Sequence, residues 1–213
     1  MGLTKKKITQ VRKPNGFFGK LIAKGMNKGS HAKLAAWGIT YISIELDDVI
    51  LDIGCGGGGN VKTLAKLVPK GKVYGIDYSE VSVKVSKKVN KNYIEKGKVS
   101  IKHGSVSSLL FEEETFNIVT GFEAYYFWHD LINDLKEIYR VLKPNGEIFL
   151  INEAYRCKDE RLLKRNECWA KLGDFKLHTP EEFRSLIQDA GYSEVEIFEE
   201  ENNGWIIAKG KKE

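Results

Sequence analysis

The segment Leu51-Asp52-Ile53-Gly54-Cys55-Gly56-Gly57-Gly58-Gly59-Asn60 sets a carboxylate immediately ahead of a glycine-rich turn. Glycines let a backbone turn sharply and let a ligand reach main-chain atoms that a side chain would cover. A second carboxylate, Asp77, closes the next apolar run, where it can accept hydrogen bonds from both hydroxyls of a ribose. The two features together imply an adenosine-type ligand. Gly54, Gly56 and Gly59 also satisfy GxGxxG with Asp77 at a fingerprint distance, so a nicotinamide dinucleotide competes for the same turn. Downstream, Glu123, His129 and Glu153 are candidate proton acceptors, and Tyr125-Tyr126-Phe127-Trp128 could enclose a cation or an apolar group.

These residues need a scaffold that brings strand ends together. Val49-Ile50-Leu51-Asp52-Ile53 is a short apolar run opening into glycines, the pattern of a buried parallel strand. A helix over 60–67, a strand over 73–77, a helix over 79–95 and a strand over 99–102 continue the alternation as right-handed βαβ units. Next come a strand over 116–120, an amphipathic helix with Leu131, Leu135, Ile138 and Leu142 on one stripe, a turn at Lys143-Pro144-Asn145-Gly146, and a strand over 147–151. Thr179-Pro180-Glu181-Glu182 reads as a capping box with proline in the first turn of a helix that ends at Gly191. The stretch 199–204 is too short for a crossover helix, so the strands 195–198 and 205–208 must form a hairpin. The resulting class is α/β: a doubly wound sheet of seven strands, mostly parallel, with an antiparallel strand from the C-terminal hairpin. Phe17, Phe18, Leu21 and Ile22, then Leu34, Trp37, Ile39 and Ile42, predict N-terminal helices broken at Asn27-Lys28-Gly29-Ser30.

A chain of 213 residues fits one such domain over 1–213. Cys55, Cys157 and Cys168 form no CxxC pair and have no histidine at zinc spacing, so neither a metal site nor a disulfide framework is indicated. No apolar run approaches the length of a membrane span and no secretory signal is evident, so a cytoplasmic protein is expected. The net charge of +5 gathers in Lys5-Lys6-Lys7 with Arg12-Lys13 and in Lys209-Gly210-Lys211-Lys212. With no aromatic residues interleaved, these runs are expected to be solvated tails rather than a nucleic-acid surface.

Val49 to Asn60 resembles the first motif of class I S-adenosylmethionine-dependent methyltransferases, near the group that includes the ubiquinone and menaquinone biosynthesis methyltransferases. Gly75-Ile76-Asp77-Tyr78-Ser79 resembles that family's acidic second-strand signature, Gly104 to Leu109 its loop at the adenine edge, and Arg140 to Glu147 its late motif. The resemblance spans Val49 to Asn152 and implies a Rossmann-like core over 46–213, with 1–45 as an N-terminal tail and helical lid. It implies that Asp52, Gly54 and Gly56 cradle the methionine part of S-adenosylmethionine, that Asp77 binds the ribose, that Tyr78 packs on adenine, that Ser105 and Val106 face the adenine rim, and that Phe122 lies beside the sulfonium. Two departures stand out: Ser105 where the loop usually offers Asp or Asn, and Asn117 for an Asp, a change expected to matter only at the surface.

Asp52 before the turn, the fourfold glycine run and the terminal hairpin favour this reading over the dinucleotide one. Methyl transfer is an in-line displacement that orientation and desolvation can accelerate without a covalent residue. If the acceptor loses a proton, Glu123, His129 or Glu153 would take it. A small organic acceptor is expected, with an RNA or protein methyltransferase as the alternative. The insert from Tyr155 to Lys176, with Arg156, Arg161, Arg165 and Trp169, is expected to cover the acceptor side.

Overall fold

The computed structural model describes residues 16–25 and 29–213. The basic segment Lys5-Lys6-Lys7 with Arg12-Lys13 lies outside the described residues, as do Met26, Asn27 and Lys28 and the side chains of Phe17, Phe18 and Ile22. In chain order the elements are α1 (Gly16–Gly25), α2 (Ser30–Ile39), β1 (Val49–Ile53), α3 (Gly59–Leu67), β2 (Lys72–Asp77), α4 (Glu80–Val89), α5 (Lys91–Glu95) and β3 (Val99–His103). Then follow β4 (Phe116–Phe122), a 3-10 turn (Tyr125–Phe127), α6 (Leu131–Val141), β5 (Leu142–Asn152), α7 (Glu160–Gly173), α8 (Pro180–Asp189), β6 (Ser193–Glu200) and β7 (Trp205–Lys211).

The sheet runs β3-β2-β1-β4-β5-β7-β6, and β7 alone is reversed, pairing antiparallel with both β5 and β6. The expected seven strands and C-terminal hairpin are therefore present. Successive strand residues point to opposite faces, so each buried strand feeds two cores. Ile50 and Phe149 pack with Leu34 of α2, Val61 and Leu64 of α3 and Val83 of α4, whereas Leu51 and Leu150 pack with Leu135 and Ile138 of α6 and Phe183 and Ile187 of α8. Winding reverses direction between β1 and β4, and crevices open at such points outside the carboxyl ends of the strands.

Thr179 and Glu182 form the expected capping box, each side chain accepting the other's backbone N–H, with Pro180 in the first turn. The helix expected over 79–95 is instead broken at Asn90 into α4 and α5. Asn90 is fully buried, and its amide donates to Gly58 O at 2.9 Å and Ser86 O at 3.0 Å, so a side chain that ties α4 to the glycine turn also ends the helix. Asn90→Ala is expected to cost about 1–2 kcal/mol, read as a lower urea midpoint with an unchanged slope.

Three further expectations change. Residues 143–146 are a bulge within β5 rather than a turn before it, because the pairing jumps from Phe116↔Leu142 to Ile118↔Glu147 and Asn145 sits at φ 63°. Asn117 does more than occupy the surface: its Oδ1 accepts from Val49 N at 3.0 Å and Lys143 Nζ at 2.9 Å, bracing β1 and the bulge against β4. The closing basic run is no solvated tail, since Lys209 pairs with Glu147 and Glu196 at 3.0 Å, Lys211 with Glu194 at 3.0 Å, and Lys212 is buried with its Nζ donating to Leu142 O at 2.8 Å. Among the described residues no helix is long and apolar enough to cross a membrane.

Candidate functional site

A cavity of about 540 Å³ opens at the carboxyl ends of β1, β2, β4 and β5. Its floor is the turn after β1. Gly54 has φ 70°, and a Cβ there would meet Ala124 Cβ at 2.9 Å; Gly58 has φ 76°, and a Cβ there would meet Ser86 Oγ at 2.3 Å. Only glycine suits both positions, so the run that α3 grows from is set by backbone conformation as much as by a ligand. Cys55 N donates to Ile76 O at 2.9 Å, joining the turn to β2.

Asp77 ends β2 and lines the cavity. Its Oδ2 accepts from Gly56 N and its Oδ1 from Ser79 N, both at 2.8 Å, so the carboxylate is fixed between the turn and the start of α4. Burial raises its pKa, and the Ser79 and Gly56 amides oppose that shift. The Ser82 hydroxyl adds a third hydrogen bond to the carboxylate, which keeps part of its acceptor capacity for a further donor.

Asp52 stands apart from the other sequence-predicted residues because it is buried below the turn and does not line the cavity. Thr120 Oγ1 donates to its Oδ1 at 2.9 Å, while Oδ2 has no hydrogen-bond partner among the described residues. Burial, with a smaller push from Asp77, raises its pKa to about 7 against the lowering effect of Thr120. Nothing local marks Thr120 as its partner, since 68 residues separate the two.

Gly54, Gly56, Tyr78, Ser105, Val106 and Phe122 all line the cavity. The Ser105–Leu109 loop is held from α6: Glu137 Oε1 accepts from Leu109 N at 2.8 Å, and Arg140, paired with Glu137, donates to Leu109 O and Phe111 O at 3.0 Å. His103 Nε2 lies 2.9 Å from Tyr78 O, a structural contact at a strand end.

The opposite wall is aromatic and acidic. Tyr126, Phe127, Trp128, Trp169 and Phe175 line it, the last two from the insert that carries α7, while α2 contributes His31 and Leu34. Arg165 lies 4.8 Å over the Trp169 ring. Glu123 follows β4 at φ 55°, and its Oε1 accepts from Glu153 N at 2.6 Å and from Tyr126 Oη at 3.0 Å. Burial and then the neighbouring Glu153 carboxylate push the Glu123 carboxyl upward. His129 sits exposed at the rim, ahead of the Asp130 cap of α6. Spacing along the chain could not have joined His31 to Glu123 and Glu153, yet their ligand atoms all lie within 4.8 Å of one another.

Residues 51–150 match the family described as a methyltransferase domain. A demethylmenaquinone methyltransferase of Lactobacillus johnsonii is 32% identical over 136 residues, covering 63% of this chain and 54% of the relative. A chain from the complex between the Haloferax volcanii Trm112 methyltransferase activator and the putative methyltransferase superposes with TM-score 0.75 at 21% identity, covering 89% of this chain and 92% of the other. Haemonchus contortus phosphoethanolamine N-methyltransferase 2, solved with S-adenosyl-L-methionine, superposes with TM-score 0.74 at 15% identity over 92% of this chain and 57% of the other. These two likenesses are of fold. The chain spans about half the length of the curated relatives it matches.

Proposed function

From the premise that residues 51–150 are a domain of the methyltransferase family, we propose that the chain is an S-adenosylmethionine-dependent methyltransferase acting on a small organic acceptor. The domain so proposed spans 1–213, with 1–45 as tail and lid. The observation that carries the reading is Asp77, a buried carboxylate fixed by two backbone amides in the wall of a cavity floored by glycines. Its remaining acceptor capacity suits a ribose hydroxyl.

The residues present fit the donor. Asp77 would hold the ribose, Tyr78, Ser105 and Val106 the adenine, Gly54 and Gly56 the methionine part, and Phe122 the sulfonium region, with Asp52 supporting the turn from below. Bound there, the donor supplies an electrophilic methyl group. The chain's own part is to orient both ligands and keep water out, which the aromatic wall and the α2 lid favour. Glu123 and His129 are the candidate proton acceptors, one inside the cavity and one at its rim. Relatives named as demethylmenaquinone methyltransferases support a small acceptor. So does the pairing of Lys209, Lys211 and Lys212 with glutamates, which takes those charges away from any nucleic acid.

The test is calorimetric titration with S-adenosylmethionine, S-adenosylhomocysteine and, in parallel, oxidised and reduced nicotinamide dinucleotides. Micromolar binding of the first two alone is the expected result. Binding of a dinucleotide alone would overturn the reading.

A further inference from the structure

We propose that His31, Glu123 and Glu153 form a divalent-cation site at the end of the cavity away from Asp77, suited to an ion such as Mn²⁺. The three side chains come from separate elements: His31 from the first turn of α2, Glu123 from the residue after β4, and Glu153 from the residue after β5. All three line the cavity, and one ligand atom from each lies within 4.8 Å of the others. An ion holding its ligands at about 2.1 Å sets them about 3–4 Å apart, so a shift of about 1 Å closes the set.

The site is organised beyond its ligand atoms. Tyr126 Oη and Glu153 N hold Oε1 of Glu123, and Tyr126 Oη is itself fixed by Ala154 N at 2.9 Å. That leaves Oε2 as the oxygen turned to His31, whose Nδ1 lies 3.7 Å away. Outer hydrogen bonds of this kind orient metal ligands. Glu153 is buried, only 8% exposed, and among the described residues no Lys or Arg side chain pairs with either glutamate. Arg165 reaches only the main-chain oxygen of Glu153 and lies over Trp169. Where both carboxyls are ionised they repel, and a bound cation removes that cost.

One imidazole and two carboxylates suit a borderline-to-hard ion. Three protein ligands leave coordination positions open to the cavity, as in sites that bind a substrate oxygen. His31 rides on the lid helix, so the ion would also pin α2 to the ends of β4 and β5. The inference rests on the proposed function only for what the ion would do; binding of the ion does not depend on it.

Full-length protein stripped with a chelator would be titrated with Mn²⁺ and the free ion read by electron paramagnetic resonance. One equivalent is expected to bind, weakened at least about tenfold in His31→Ala and in Glu153→Gln and unchanged in Cys168→Ser. His31 is partly exposed, so its alanine variant is expected to fold, and a thermal melt of each variant checks this. Absence of a stoichiometric site below about 1 mM Mn²⁺, or equal affinity in the wild type and both variants, overturns the proposal. Donor binding is scored separately: Mn²⁺ binding without S-adenosylmethionine binding sinks the methyltransferase reading alone, and the converse sinks the cation site alone.

Discussion

Replacing Asp77 with alanine is expected to weaken S-adenosylmethionine binding about 100- to 1000-fold. Hydrogen bonds from hydroxyls to a charged acceptor each contribute about 1.5–3 kcal/mol, and Asp77 keeps acceptor capacity beyond the Gly56, Ser79 and Ser82 donors. The variant also strands Gly56 N and Ser79 N, so some of the loss would come from a loosened turn rather than from the missing ribose contact. A 2′-deoxy analogue of S-adenosylhomocysteine separates the two. Wild type should bind the analogue more weakly than S-adenosylhomocysteine, and Asp77→Ala should bind both alike. If the variant still discriminates, Asp77 is a turn brace and the ribose assignment fails. Circular dichroism should show the sheet intact, because Asp77 closes β2 and the strands flanking it are held by their own ladders.

The parts of this molecule that the sequence discloses are those written locally. The glycine turn, the capping box at Thr179 and the hairpin after Glu199 each depend on residues close along the chain. What escaped depends on partners far away. Asn90 looks like an ordinary helix residue until Gly58, 32 positions earlier, supplies the carbonyl that draws its amide inward. Lys212 looks like a solvated terminus until the Leu142 carbonyl, 70 positions earlier, takes its ammonium. The bulge at 143–146 keeps the Pro and Gly of a turn, yet the pairing of β4 resumes beyond it and makes one long strand. His31, Glu123 and Glu153 carry no shared motif, and only the winding of α2, β4 and β5 assembles them. The candidate site therefore divides in two: a turn and carboxylate legible from one loop and one strand end, and a His31, Glu123 and Glu153 cluster that only the folded chain assembles.

Asp52→Asn is expected to stabilise the fold while weakening the donor, and the pH dependence of the stability gain identifies its cause. The Asp52 carboxyl is pushed to about 7 by burial, against 3.8 for the free group. Between these values the native state keeps a proton that the unfolded chain has released, so stability falls as pH rises through that window. Below about pH 4 both states are protonated and the penalty is absent; above about pH 7 it is fully present, with an upper figure on the order of 4 kcal/mol. Asparagine has the same shape, can still accept from Thr120 and never ionises, so the variant should melt higher than wild type at pH 8, with the gap closing towards pH 4. A constant gap, or none, would mean that Asp52 titrates normally. The orphaned Oδ2 suggests why so costly a group is there. A carboxylate beneath the turn attracts the positive charge of the donor through a low-dielectric layer, where Coulomb energies are larger than in water. Wild-type affinity for S-adenosylmethionine should accordingly strengthen as pH rises through about 7, and Asp52→Asn should lose both that dependence and much of the affinity. Stability gained with donor binding unchanged would leave Asp52 as a structural residue alone.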